Sequence, residues 1–249
     1  MMNSDYFSDA ARHPMIRRLR SITDIPRVEL DALMDVKMKV VEIDADIDIV
    51  LEGERPTQCV LLLEGYACRY KLLDFGKRQI LAFHITGDLP DLQSYHLEVM
   101  DHSLCTLSPA KVAFLSHQTI DYIITTYPKL AAALWRSTLV DASIFRQWIA
   151  GVGRRLAHER IAHLICELVV RHRAVGLAQD FRFNFPVTQA ELGDATGLSV
   201  VHVNRVVRDL RSMGLISLAG GYVAVRDWAR LKKTARFDAS YLHVRGGEP

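Results

Sequence analysis

Residues 41 to 49 read Val-Glu-Ile-Asp-Ala-Asp-Ile-Asp-Ile, apolar at every odd position and acidic at every even one, which is the period of two of a half-buried strand. One strand over 41–49 is expected. Short apolar runs follow, broken by turn residues: Cys59 to Leu63, Glu64-Gly65, Tyr66 to Leu73, Asp74-Phe75-Gly76, Gln79 to Ile85 and Gly87-Asp88. Glycine supplies the positive φ that tight turns need, so this spacing predicts a meander or roll of antiparallel strands, with a further strand pair in 97–115.

From His117 the pattern becomes helical. After Pro128 a long helix is expected over 129–156, with Leu130, Leu134, Phe145, Trp148 and Val152 at separations compatible with one face. That stripe is interrupted by Ser137 and Asp141, and it suits either packing on the chain's own β domain or pairing with a symmetry mate. A second helix, 156–175, carries Ile161, Leu164, Ile165, Leu168 and Val169 on an apolar face and ends near Gly176, and Phe181 to Phe185 alternates like a short strand. No linker composition separates the parts, so the hinge is expected at 151–158.

Residues 187–216 carry the most information. Thr188 followed three residues later by Glu191 is a capping box that starts a short helix. Gly197 can take the left-handed conformation that closes it, and Ser199 caps a second helix, which predicts a helix-turn-helix. In that second helix Val203, Val206, Val207 and Leu210 can face inward while Val201, Asn204, Arg205 and Arg208 share the outward face. Such a face fits a DNA major groove: Arg bonds a guanine edge bidentately, Asn an adenine edge, and a valine methyl packs on a thymine methyl. A solvated face on an ordinary helical hairpin is the plainer possibility. Leu215 to Leu218 and Tyr222 to Val225 flank Ala219-Gly220-Gly221, the signature of a hairpin, so the helix-turn-helix is expected to be winged. Asp227 can cap a last helix whose Arg230, Lys232, Lys233 and Arg236 suit phosphates or solvent equally.

The length of 249 residues is enough for two modest domains, and the balance of 49% hydrophobic to 24% charged residues is that of a globular chain. No stretch approaches the roughly 18 apolar residues of a membrane span, and Met1 to Arg20 lacks the hydrophobic centre of a secretory signal, so a cytoplasmic location is expected. Net charge is only +2, but from Glu159 onward 13 Lys and Arg stand against 9 Asp and Glu. That surplus in the C-terminal part weakly favours a polyanionic partner. Cys59, Cys68, Cys105 and Cys166 form no CxxC pair, which makes buried reduced thiols the expectation, and His84, His96 and His102 follow no recognised ligand spacing. No metal and no catalytic residue is assigned, for the chain lacks a Gly-rich phosphate loop and a nucleophile elbow.

Taken together, Leu62-Leu63-Glu64-Gly65, Gly87-Asp88, Gly197-Leu198-Ser199, Val203-Asn204-Arg205 and Met213-Gly214-Leu215-Ile216 make the chain resemble the Crp/Fnr superfamily of bacterial transcription regulators over roughly residues 40 to 235. The resemblance implies an α+β fold: an N-terminal antiparallel β-roll of cyclic-nucleotide-binding type (1–127, with an N-terminal helical segment), a long dimerisation helix with hinge (128–157) and a C-terminal winged helix-turn-helix (158–249). No enzyme is expected, and no resident cofactor either, since the iron-sulfur cluster of the Fnr branch needs several N-terminal cysteines and this chain has none before Cys59. The partners implied are double-stranded DNA read as an inverted repeat, a second copy of the chain and, for an activator, RNA polymerase, but no membrane. The DNA-reading Arg falls on Arg205 and its small or Ser neighbour on Asn204. The DNA-contacting set is Thr188, Gln189, Ser199, Val201, His202, Asn204, Arg205 and Arg208, and the dimer seam is Leu134, Phe145, Trp148 and Val152. Where many members begin the reading helix with Arg-Glu, this chain has Val200-Val201.

The cyclic AMP members also resemble one another in a phosphate cassette that runs from Gly-Glu to Arg-Ser. Here it looks shortened to Gly87-Asp88 through Gln93-Ser94, and the base-contacting Thr-Ser pair falls on Phe145-Arg146. Gln93 cannot neutralise a phosphate as a guanidinium does. These six residues are the candidate effector pocket, for a small-molecule effector that stays unidentified. The other functional class to weigh is a regulatory module that contacts a partner protein rather than DNA.

Overall fold

The computed structural model describes residues 13–246. Met1–Arg20, where no signal-like centre is expected, is therefore covered only from His13. In chain order the helices are α1 (Pro14–Ile22), α2 (Arg27–Met34), α3 (His117–Thr126), α4 (Pro128–Arg154), α5 (Ala157–Ala174), α6 (Gln189–Thr196), α7 (Val200–Ser212) and α8 (Trp228–Ala235). The strands are β1 (Lys39–Ile43), β2 (Asp48–Val50), β3 (Gln58–Glu64), β4 (Ala67–Leu73), β5 (Lys77–His84), β6 (Ser103–Thr106), β7 (Ala110–Ser116), β8 (Arg182–Asn184), β9 (Ile216–Ala219) and β10 (Tyr222–Val225). Two compact units result. Among the described residues, one holds 13–71 with Ala82–Asp141, the other holds Leu72–Leu81 and 142–246, so the division runs through α4.

The strands β1 to β7 form sheets of the orders β1-β7-β3 and β2-β6-β4-β5. The single strand expected over 41–49 is two. Asp46 takes φ 60, which Asp tolerates better than most residues, and the turn it makes sends β1 to pair with β7 and β2 with β6. Thr106 fixes that turn: its hydroxyl donates to the Asp44 carbonyl and accepts from the Ile47 amide. The alternation is thus shared between two sheets. The run Cys59-Val60-Leu61-Leu62-Leu63 is buried on both faces of β3. Val60 and Leu62 pack inside the roll with Val50, Ala67, Leu104 and Val112, while Cys59, Leu61 and Leu63 meet α1 to α4 through Leu19, Leu33, Ile120 and Leu130. Glu29 accepts from the Leu130 amide at 2.8 Å and so supplies a partner at the start of α4, where backbone donors lack one.

In the second unit β8, β10 and β9 form a three-stranded antiparallel sheet beside α5 to α8. Its core is Ile161, Ile165, Leu168, Leu192, Val203, Leu210, Val223 and Leu231, all buried. Among the described residues no helix is long and apolar enough to cross a membrane.

Candidate nucleic-acid interface

The capping box is formed: Thr188 Oγ1 accepts from the Glu191 amide at 3.2 Å, and the Glu191 carboxylate accepts from the Thr188 amide at 2.6 Å. Gly197 ends α6 in the left-handed region at φ 66. A side chain at Gly193 is excluded, since its Cβ would lie 2.6 Å from the Leu198 carbonyl oxygen, so α6 and the turn into α7 approach at a distance only glycine permits. Ser199 Oγ then accepts from the His202 amide at 3.3 Å and starts α7.

Along α7 the periodicity resolves as expected. Val203, Val206, Val207 and Leu210 are buried, while Val201, Asn204, Arg205 and Arg208 are exposed, with His202 half-buried. Arg205 and Arg208 have no hydrogen bond or ion pair among the described residues, so two full guanidinium donor sets point away from the core. Asn204 Nδ2 donates to the Val200 carbonyl at 3.0 Å, one turn back in its own helix, and must let go of it to bond a base in two places. Thr188 is exposed and committed to its cap, while Gln189 is half-buried with Oε1 lacking a partner. The β9–β10 hairpin turns at Gly220-Gly221, and Arg182 lies 4.6 Å from the centre of the Tyr222 ring on the wing. Of the terminal cations, Arg236 is spent on Glu159 at 3.0 Å.

Two polar devices in this unit were not read from the sequence. The Arg160 guanidinium donates to the Val152 and Arg155 carbonyls at 2.9 and 3.0 Å and to the Thr196 carbonyl, so one side chain caps the ends of both α4 and α6. Glu167 is wholly buried and accepts from Trp148 Nε1 at 3.1 Å, from the Tyr241 hydroxyl at 3.0 Å and from Arg171 at 3.4 Å. Burial raises its pKa, against the opposing effects of Arg171, Tyr241 and Trp148. The one available signal was a carboxylate set among the apolar positions Leu164, Ile165 and Leu168.

This network bears on the seam expected along α4. Trp148, half-buried, donates its indole N–H within its own chain, and Leu134 belongs to the core of the first unit. Phe145 is half-buried and Val152 exposed. The open apolar positions are Trp135 (70% exposed), Leu139, Ile149 (72%) and Val152, which recur at nearly heptad spacing.

The candidate effector residues also take other roles. Asp88 is buried, with Oδ1 accepting from Arg18 Nε at 2.9 Å and Oδ2 from the Ile85 amide at 3.0 Å. Gly87 and Asp88 bond through their backbones to Leu62. Gln93 meets His102 at 3.4 Å, and Ser94 meets His117 at 3.2 Å and Cys59 at 3.4 Å. Phe145 and Arg146 lie in the other unit. The cation beside this segment is Arg69, which is buried and donates to the Pro90 carbonyl and to Asp141 at 3.1 Å. Asp91 is fully buried, and desolvation, opposed by the Val60 amide and Arg69, lifts its pKa to about 7. The four cysteines are buried and none is in a disulfide, and burial with the nearby Asp91 pushes Cys59 up to about 12. His84 is pulled down to about 4 by burial, and among the described residues no three His, Cys, Asp or Glu side chains gather as a metal site.

Residues 159–234 match the model of the Crp-like helix-turn-helix domain. Electron transport regulator A of Shewanella oneidensis is 25% identical over 83% of this chain and 82% of its own. The transcriptional activator protein anr of Pseudomonas aeruginosa is 30% identical over 64% of each chain. The solved structure of FixK2 from Bradyrhizobium japonicum shares the fold, with a TM-score of 0.73 at 24% identity over 82% of this chain and 100% of that one. A β-roll followed by a winged helix-turn-helix with an open, cationic reading helix defines a DNA-binding transcription regulator. The Crp-like domain of residues 159–234 and these relatives support placing the chain in the Crp/Fnr superfamily.

Proposed function

We propose that the protein acts as a homodimer that reads an inverted-repeat operator with α7, and that it does so without cyclic AMP. The observation that carries this is the pair Arg205 and Arg208, exposed without protein partners on the face of α7 opposite the buried Val203, Val206 and Val207. Thr188, Gln189, Ser199, Val201, His202 and Asn204 flank them as further DNA contacts. In this reading 1–127 is the sensor, 128–157 the pairing helix and hinge, and 158–249 the reader. The open stripe of α4 supports the pairing, and two-fold symmetry sets the reading helices about 34 Å apart, one turn of duplex. The engaged state of Arg69 and Asp88 supports independence from a nucleotide phosphate. The protein works beside the chromosome, in the cytoplasm, has no catalytic role, and meets RNA polymerase where it activates.

Arg205→Ala tests the reading. A bidentate Arg–guanine contact is worth about 1–3 kcal/mol, and a dimer loses it twice. Gel-shift titration with the operator is expected to show specific binding lost while sedimentation shows the oligomer unchanged. Unchanged operator affinity would remove Arg205 from the readout.

A further inference from the structure

Val201 is 80% exposed, more than any other large apolar side chain that the described residues present from Ala157 onward, and Val200 beside it is 45% exposed. Both stand on the first turn of α7, and the outward face they begin continues in Asn204, Arg205 and Arg208. A β-branched side chain in an exposed helix position gains nothing from packing and is a mediocre helix former, so local structure gives no reason for it. Its surroundings on the face that meets DNA do.

We propose that Val201 selects thymine, through contact with the 5-methyl group, at a base pair within two steps of the one Arg205 reads. The inference rests on the operator reading above and specifies it further. Four residues of helix advance about 6 Å, and successive base pairs are about 3.4 Å apart, which limits the offset to at most about two steps. In the major groove thymine alone presents a methyl group, whereas cytosine and adenine present an amino donor and guanine two acceptors. Valine can neither accept nor donate a hydrogen bond. Any other base set against it loses its water without a replacement partner, while thymine buries a methyl against two methyls.

The test begins with selection of duplexes from a random pool by the full-length protein, which supplies the operator. Each thymine of that operator is then replaced by deoxyuridine, which lacks only the methyl, and affinities are measured for the wild type, Val201→Ala and Arg205→Ala. Circular dichroism checks that the variants are folded. One thymine per half-site, within two base pairs of the Arg205-dependent position, is expected to matter. Uracil there weakens the wild type about fourfold per half-site, the factor corresponding to one buried methyl, and leaves Val201→Ala unaffected. Selection with Val201→Glu is expected to shift that position to cytosine, whose amino group a carboxylate accepts. Uracil neutral at every thymine, or equal losses in wild type and Val201→Ala, would overturn the proposal. Arg205→Ala binding the selected operator as well as the wild type would instead overturn the operator reading itself, whatever the thymine scan shows.

Discussion

Replacing Glu167 by alanine removes a wholly buried carboxylate that accepts from Trp148 of α4, Tyr241 beyond α8 and Arg171 of α5. Taking one partner from a buried ion pair costs about 3–5 kcal/mol, because the other charge stays in a medium that cannot solvate it. The Trp148 and Tyr241 donors each add about 1 kcal/mol or more, though less than additively, since they share one acceptor. A loss of about 4–6 kcal/mol is therefore expected, most of the stability of an ordinary domain. Glu167→Gln keeps an acceptor and the side-chain volume, loses only the charge, and is expected to cost about 2 kcal/mol on the same reasoning. Urea unfolding followed by tryptophan fluorescence at pH 7 measures both, with Trp148 a probe beside the lesion. A Glu167→Ala protein within 1 kcal/mol of wild type would refute the network as the tie between α4 and α5.

Ile149→Asp places a charge in the open stripe of α4 and is expected to yield monomers by sedimentation, while Trp148→Phe, whose indole serves its own chain, leaves the oligomer intact; a dimeric Ile149→Asp would move the seam elsewhere. The raised pKa of Asp91 means that between its ordinary value near 4 and about 7 the folded chain holds a proton the unfolded chain has released. Stability from this group is therefore present at low pH and lost as pH rises through that window, by up to about 4 kcal/mol. Urea midpoints of Asp91→Asn relative to wild type from pH 4 to 8 are expected to show that slope removed, and parallel curves would contradict it. Cyclic AMP and cyclic GMP are expected to leave operator affinity unchanged; calorimetric binding at micromolar concentration coupled to a tenfold gain in affinity would show that Arg69 gives up Asp141 for a phosphate.

What the sequence determined by itself was local. The helix-turn-helix was legible because each of its signals acts within one turn: Thr188 and Glu191 satisfy each other three residues apart, Gly197 needs only its own φ, and the inward valines of α7 follow the helical period. The double burial of β3 was likewise legible as a continuous apolar run. The tertiary structure decided everything that depends on which distant group fills a position. The alternation over 41–49 is the same for one strand or two, and Thr106, some sixty residues on, holds the turn at Asp46. Trp148 and Ile149 are adjacent on an amphipathic helix, and only the arrival of Glu167 from α5 engages the first and leaves the second open. Arg69 and Asp141 are 72 residues apart, and no periodicity links them. A buried charge finds its partner through the packing of whole elements, so residue spacing along the chain carries no record of the pair.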